Sequence, residues 1–183
     1  MRARVRNSPG PYGTRSRVPT AASAPVPWRQ YAPTAVLGGF NMHRMKGVTP
    51  GEDTTNKLAA LGPGLRGACL DVCTGLGYTA IGMARHPKVE EVYTIELDPA
   101  MVAMQRANPW SADLFDDGKI TRLIGDATEL LPAIPSARFD CMVHDPPTNS
   151  MSGELYSLEF YAELRRALKP NGVLFHYIGD PSS

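Results

Sequence analysis

Four carboxylates recur at matching places along this chain: Asp71 stands near the end of one short apolar run, and Glu96, Asp126 and Asp145 follow three others within two residues. The runs are Ala68–Cys73, Val92–Ile95, Ile120–Ile124 and Phe139–His144, and each reads as a strand. Ligands of open α/β sheets bind beyond the carboxyl ends of the strands, so the four acids are expected to face one crevice. Acids scattered over a surface would rarely fall at four successive strand ends. The first run leads into Thr74, Gly75, Leu76 and Gly77. The spacing Gly75-x-Gly77-x-x-Ala80, with Glu96 further on, fits a nucleotide-binding turn and an acid for ribose hydroxyls.

That glycine spacing alone suits a nicotinamide dinucleotide equally well, and an ordinary tight turn produces it too. Asp71 separates the readings. A carboxylate just before the turn would face a pyrophosphate, like charge against like charge. S-adenosylmethionine instead presents an ammonium and a sulfonium there, and it is the expected cofactor. In that reading Asp71 faces the charged end of the cofactor, and Thr74, Gly75 and Gly77 are the cofactor-binding turn beside it. Glu96 accepts from the ribose, and Asp126 from the adenine amino group. Asp145-Pro146-Pro147 carries the chemistry. Methyl transfer from a sulfonium is an in-line displacement, for which the protein must position the acceptor and exclude water. A carboxylate and a backbone carbonyl that both accept from an amino group favour the pyramidal, attacking nitrogen. Proline supplies such a carbonyl while fixing φ. An ordinary Pro-Pro turn leaving a strand is the plainer alternative. His144 reads as a strand-end residue, since a triad or metal partner is not apparent.

The elements that must position these groups alternate. Tyr78–Arg85 follows the first strand as a helix, and Asp98-Pro99 opens a second one, with proline in the favoured first turn. Thr128–Leu131 is a short helix. Leu155, Leu158, Tyr161, Leu164 and Leu168 mark a helix over Glu154–Leu168, ended by Asn171-Gly172 before a fifth strand at Val173–Tyr177. The pattern implies a Rossmann-like parallel sheet with helices on both faces, in the strand order 3-2-1-4-5. Residues 68–183 form this domain, and residues 34–67 a segment flanking substrate and cofactor. The fifth strand is expected to be an edge, with the terminal antiparallel hairpin missing, and an apolar edge predicts homodimers.

Residues 1–33 are rich in Arg, Ser, Ala and Pro, with no acid, and are expected to be a disordered tail or the transit peptide of a plastid or mitochondrion. A cytoplasmic location is the alternative. Eight of the 19 Lys and Arg lie within residues 1–51, which hold no acid; the other 11 face all 18 acids, a formal −7. That acidic body presents no long basic groove for duplex nucleic acid. No apolar run is long enough to span a bilayer. Cys69, Cys73 and Cys141 lack metal-ligand spacing, so neither a zinc site nor a disulfide framework is expected.

With these residues in place the chain resembles the class I methyltransferases. More narrowly, it is similar to a spermidine-synthase-like, largely archaeal group linked to N4-methylation of cytidine in ribosomal RNA. The likeness runs from about Asn41 to Gly179. It passes through His43-Arg44-Met45-Lys46-Gly47-Val48, the segment from Asp71 to Ile81, Asn108-Pro109-Trp110-Ser111, His144-Asp145-Pro146-Pro147, Gly153-Glu154-Leu155-Tyr156-Ser157 and Leu174-Phe175-His176-Tyr177. It implies methylation of an amino nitrogen, with RNA as substrate. Two departures stand out within it. Cys73 replaces the first glycine of the commoner loop. Thr148 stands where many base-amino methyltransferases carry a stacking aromatic, leaving Tyr156 or Tyr161 for that role. Aminopropyl transfer to a polyamine is the rival reading, although Met142 lies where such enzymes have a further acid. A non-catalytic cofactor-binding fragment is the third.

Overall fold

A computed structural model describes residues 4–6, 32–37, 40–43, 47–148 and 151–178. Its first strands, β1 (Arg4–Arg6), β2 (Thr34–Leu37) and β3 (Phe40–Asn41), form a small antiparallel sheet in that order. Arg4–Arg6 pairs with Thr34–Val36. The tail expected over residues 1–33 therefore contains one strand, because an extended arm can satisfy its backbone on a neighbouring edge without a core of its own. The rest of that expectation, residues 1–3 and 7–31, lies outside the described residues.

Helix α1 (Pro50–Leu61) follows. Thr49 caps it, its hydroxyl accepting from the Glu52 N–H at 3.2 Å while the Glu52 carboxylate accepts from the Thr49 N–H at 2.7 Å. This reciprocal box, with Pro50 in the first turn, starts the helix. Then come β4 (Gly67–Val72), α2 (Tyr78–Ala84), β5 (Val89–Glu96), α3 (Pro99–Ala107), a short α4 (Asp113–Asp116) and β6 (Ile120–Ile124). The chain continues through α5 (Ala127–Leu130), β7 (Phe139–His144), α6 (Leu158–Ala167) and β8 (Leu168–His176). The five later strands form one parallel sheet, β6-β5-β4-β7-β8, which is the expected order 3-2-1-4-5.

Alternate strand residues build a core on each face. Cys69, Val92, Cys141 and Val143 meet Leu61 of α1 and Ile81 of α2 on one side. Leu70, Val72, Ile95 and Met142 meet Phe160 and Leu164 of α6 on the other. Burying each such large side chain contributes roughly 1.5–3 kcal/mol. Leu58 of α1 lies where a β-carbon on Gly82 would project, 2.5 Å away, so glycine lets α1 settle against α2. The last helix is shorter than its apolar spacing predicts. A 3-10 turn occupies Gly153–Tyr156, and α6 ends at Ala167, with Leu168 already paired to Phe139. Pro170 lacks the N–H that a continuing helix requires. Asn171-Gly172 thus lies inside β8, across a register shift, rather than at a helix end. Among the described residues no helix is long and apolar enough to cross a membrane.

Candidate functional site

The glycine loop sits at the carboxyl end of β4. Cys73 takes φ +69°, Gly75 +55° and Gly77 +82°. A β-carbon on Gly75 would lie 2.7 Å from Met42, and one on Gly77 would strike Leu114, so both positions require glycine twice over. Cys73 holds the left-handed conformation that glycine favours, at a cost of about 1–2 kcal/mol.

Side chains from downstream fix this loop. Glu96, at the end of β5, accepts the Gly75 N–H at 2.9 Å with one oxygen and the Asp98 N–H at 2.9 Å with the other. Gln105 of α3 donates to the Gly75 carbonyl at 2.7 Å. Ser111 donates to the Leu76 carbonyl at 2.7 Å, and Asn108 in turn donates to Ser111 and to the Tyr78 hydroxyl. The Asn108-Pro109-Trp110-Ser111 motif is therefore a buttress of the loop. Arg44, Met45 and Lys46 of the earlier motif lie outside the described residues.

Asp71 lies one residue inside β4 rather than beyond it, 1% exposed. Thr94 donates to its carboxyl at 2.8 Å. Burial raises its pKa to about 8, opposed by the Thr94 hydrogen bond and by the charge of Lys57. Thr74 is buried, its N–H donating to the Ile95 carbonyl at 2.9 Å and its hydroxyl 2.6 Å from that of Thr94. Burial also raises the Glu96 pKa, against the lowering by its two backbone donors. Asp126 caps α5, its Oδ1 accepting from the Thr128 N–H and hydroxyl at 2.8 and 2.7 Å. Its Oδ2 makes no hydrogen bond among the described residues. Burial raises the Cys73 thiol pKa, and so do the charges of Glu96, Asp71, Asp145 and Asp126. The four carboxylates thus converge around Cys73.

Asp145 leaves β7 and meets a residue that sequence reasoning missed. Lys57 of α1 donates to Asp145 Oδ2 at 2.5 Å and is 2.6 Å from Asp53 Oδ2, one helical turn earlier. The Tyr177 ring centroid lies 5.5 Å from its ammonium. Burial lowers the Lys57 pKa, but Asp145 and Asp53 together carry it above the ordinary lysine value. Burial raises that of Asp145, restrained by Lys57. The capping box at Thr49 and Glu52 is the sequence signal that announces α1; nothing local in the sequence announces that Lys57 reaches Asp145.

Pro146 is buried, and its carbonyl accepts no hydrogen bond among the described residues. The Pro147 carbonyl is taken, by Tyr156 at 2.9 Å and Ser152 at 3.0 Å. Tyr161 is bound to His176 at 3.1 Å. Tyr156 therefore braces the loop after β7 with its hydroxyl, and Tyr161 the end of β8. His144 is fully buried, bonded to the Leu155 carbonyl at 2.9 Å and stacked on His176 at 4.5 Å, and burial lowers its pKa to about 4.

This arrangement fits a cationic nucleoside donor. Among the described residues no cation is bonded to the buried Asp71 carboxyl, and Asp126 Oδ2 accepts no hydrogen bond. A phosphate beside Asp71 and Glu96 would meet two carboxyl groups, an unfavourable neighbourhood for another anion.

The profile of a family described as the spermine/spermidine synthase domain matches residues 30–181. An uncharacterised protein of Methanocaldococcus jannaschii, MJ1233, is 46% identical over 81% of this chain and 51% of its own length. Polyamine aminopropyltransferase 2 of Streptomyces coelicolor is 38% identical over 57% of this chain and 20% of its own. Putrescine N-methyltransferase 4 of Nicotiana tabacum is 28% identical over 55% and 26%. The chain thus spans about half the length of the first of these relatives and less of the others. Among solved structures, a spermidine synthase in complex with the transition-state analogue AdoDATO aligns with a TM-score of 0.69 at 23% identity, over 81% of this chain and 52% of that one. This last likeness is one of fold.

Proposed function

The chain belongs to the spermine/spermidine synthase domain family, and from that premise we propose that it transfers an alkyl group from the sulfonium of an adenosine-derived donor to an amine nitrogen held at Asp145. The observation that carries this reading is Lys57: an amine nitrogen already lies against Asp145, at the end of β7, and against Asp53 of α1. Aminopropyl transfer, with decarboxylated S-adenosylmethionine as donor and a polyamine as acceptor, is the form that the comparisons favour over the methylation expected from sequence.

The donor supplies a carbon activated by positively charged sulfur. A C–N bond forms as the C–S bond breaks, its electron pair going to sulfur, and one N–H proton leaves the new ammonium. Asp145 accepts from the acceptor N–H and so directs the lone pair away from itself, toward the donor side. Asp71 supplies negative charge to the cationic donor as it ionises, and Glu96 holds the Gly75 N–H.

Methyl transfer from S-adenosylmethionine is the second reading, supported by Asp145-Pro146-Pro147 and by the putrescine N-methyltransferase relative. Cytidine N4 of ribosomal RNA is its narrowest form. One experiment separates the readings. The chain is supplied with labelled S-adenosylmethionine or its decarboxylated form, with putrescine, spermidine or RNA as acceptor. Aminopropylated amine supports the first reading, and methylated amine or N4-methylcytidine the second. Label on oxygen or carbon, or none at all, would overturn both.

A further inference from the structure

We infer that Lys57 biases which protonation state of the acceptor binds: its ammonium fills the cationic seat between Asp53 and Asp145, and so disfavours a second ammonium relative to the free base. This rests on the reading of Asp145 as the acceptor seat.

The seat is defined on three sides. Asp53 Oδ2 lies 2.6 Å from Nζ, Asp145 Oδ2 lies 2.5 Å away, and the Tyr177 ring covers a third side. The side chains of Lys57, Asp53 and Asp145 are 8%, 9% and 21% exposed, so water screens this charge weakly. Asp145 Oδ1 accepts no hydrogen bond among the described residues and is the oxygen left for an acceptor N–H.

The charged and titratable groups around the seat come from every neighbouring element. Asp53 comes from α1, His43 from beyond β3, Asp71 from β4, Asp145 from beyond β7, and His176 and Tyr177 from the end of β8. Burial and Lys57 hold the His43 pKa at about 4, so it is neutral. Asp71 is largely protonated below about pH 8. Asp53 and Asp145 then share one resident ammonium, which cancels half of their negative charge and weakens the pull on a second cation. A second ammonium on Asp145 would meet Lys57 across a single carboxylate, like charge against like charge. A neutral amine meets no such repulsion. A protonated nitrogen also has no lone pair with which to attack, so Lys57 turns away the unreactive form. An aliphatic diamine then binds better as pH rises toward its own pKa, whereas a weakly basic aromatic amine, neutral throughout, shows no such dependence.

The test titrates 1,4-diaminobutane into the wild-type chain, Lys57→Gln and Lys57→Arg, from about pH 6 to about pH 9. Wild type and Lys57→Arg should gain affinity as pH rises. Lys57→Gln, or Lys57→Ala where the glutamine variant does not fold, should bind the dication at about pH 6 roughly tenfold or more tightly than wild type, with a flatter profile. Asp71 titrates in all these proteins, so the difference between them isolates residue 57. Wild-type affinity at low pH equal to or above that of the neutral variants would overturn the inference, as would a failure of arginine to restore the wild-type profile. Titration with S-adenosylmethionine and its decarboxylated form runs in parallel. Loss of donor binding by wild type would count against the proposed reaction, separately from the amine result.

Discussion

Thr94 donates its only hydroxyl proton to Asp71 at 2.8 Å, so Thr74, 2.6 Å away, must donate to Thr94. The three side chains form a directed relay ending on a buried acid. Its folded pKa of about 8 stands above the ordinary 3.8, so the protonated form's contribution to stability is complete below about pH 4 and is lost as pH rises through about 8. Asp71→Asn should therefore melt like wild type near pH 4 and progressively higher up to about pH 8, by several degrees. Thermal melts across that range measure it. A constant offset would show that the folded carboxyl is already ionised. The same variant should bind the donor roughly tenfold or more weakly, having lost the charge.

Glu96 joins β5 to the glycine loop through two backbone donors, at Gly75 and Asp98. Glu96→Gln would turn an amide N–H₂ toward one of them, donor against donor. Donor affinity should fall by about tenfold or more, a cost of about 1.5–3 kcal/mol. Calorimetric titration gives the affinity, and amide exchange at Gly75 should quicken. Unchanged binding would remove Glu96 from the site.

On the proposed reading Asp145 would meet the acceptor rather than the donor. Asp145→Ala and Asp145→Asn should lower turnover by about 10²–10³ while leaving donor affinity within a few-fold. Lys57 would keep Asp53 as a partner in either variant, so the fold should survive, and a thermal melt checks this. Full activity in Asp145→Ala would dismiss the assigned role.

Cys73 is held at φ +69° without the freedom of glycine. Cys73→Gly should relieve about 1–2 kcal/mol of strain and lose about 0.4–1 kcal/mol to the greater entropy of the unfolded chain. The net gain of up to about 1.6 kcal/mol should raise the melting temperature, by about 2–4 °C for each kcal/mol. A lowered melting temperature would show that the cysteine's packing outweighs its strain.

The parallel sheet was legible because each strand is a short apolar run bounded by a turn, and Ile120–Ile124 and Phe139–His144 match to the residue. The acids at the strand ends were legible for the same reason, since topology alone gathers them. Lys57 was not. It acquires its role from a partner 88 residues away, through the packing of α1 on the sheet. Asp71 was found, but its hydrogen-bonded place inside β4 depends on Thr94 of the neighbouring strand. The end of α6 was misplaced because its apolar spacing continues into Leu168, where pairing with Phe139 overrides it.

The buttressing of the glycine loop has a consequence for biosynthesis. Its fasteners reach Gly75 and Leu76 from 21, 30 and 35 positions downstream, at Glu96, Gln105 and Ser111. A nascent chain emerges from its N-terminus, so the loop's own residues leave the ribosome well before anything that can hold them. Until about Ser111 has emerged, Gly75 and Gly77 are free to sample many backbone states, and Cys73 has no neighbours to enforce its left-handed turn. Within the stretch from β4 to Ser111, the glycine loop is therefore among the last parts to take shape during translation, although it is made first.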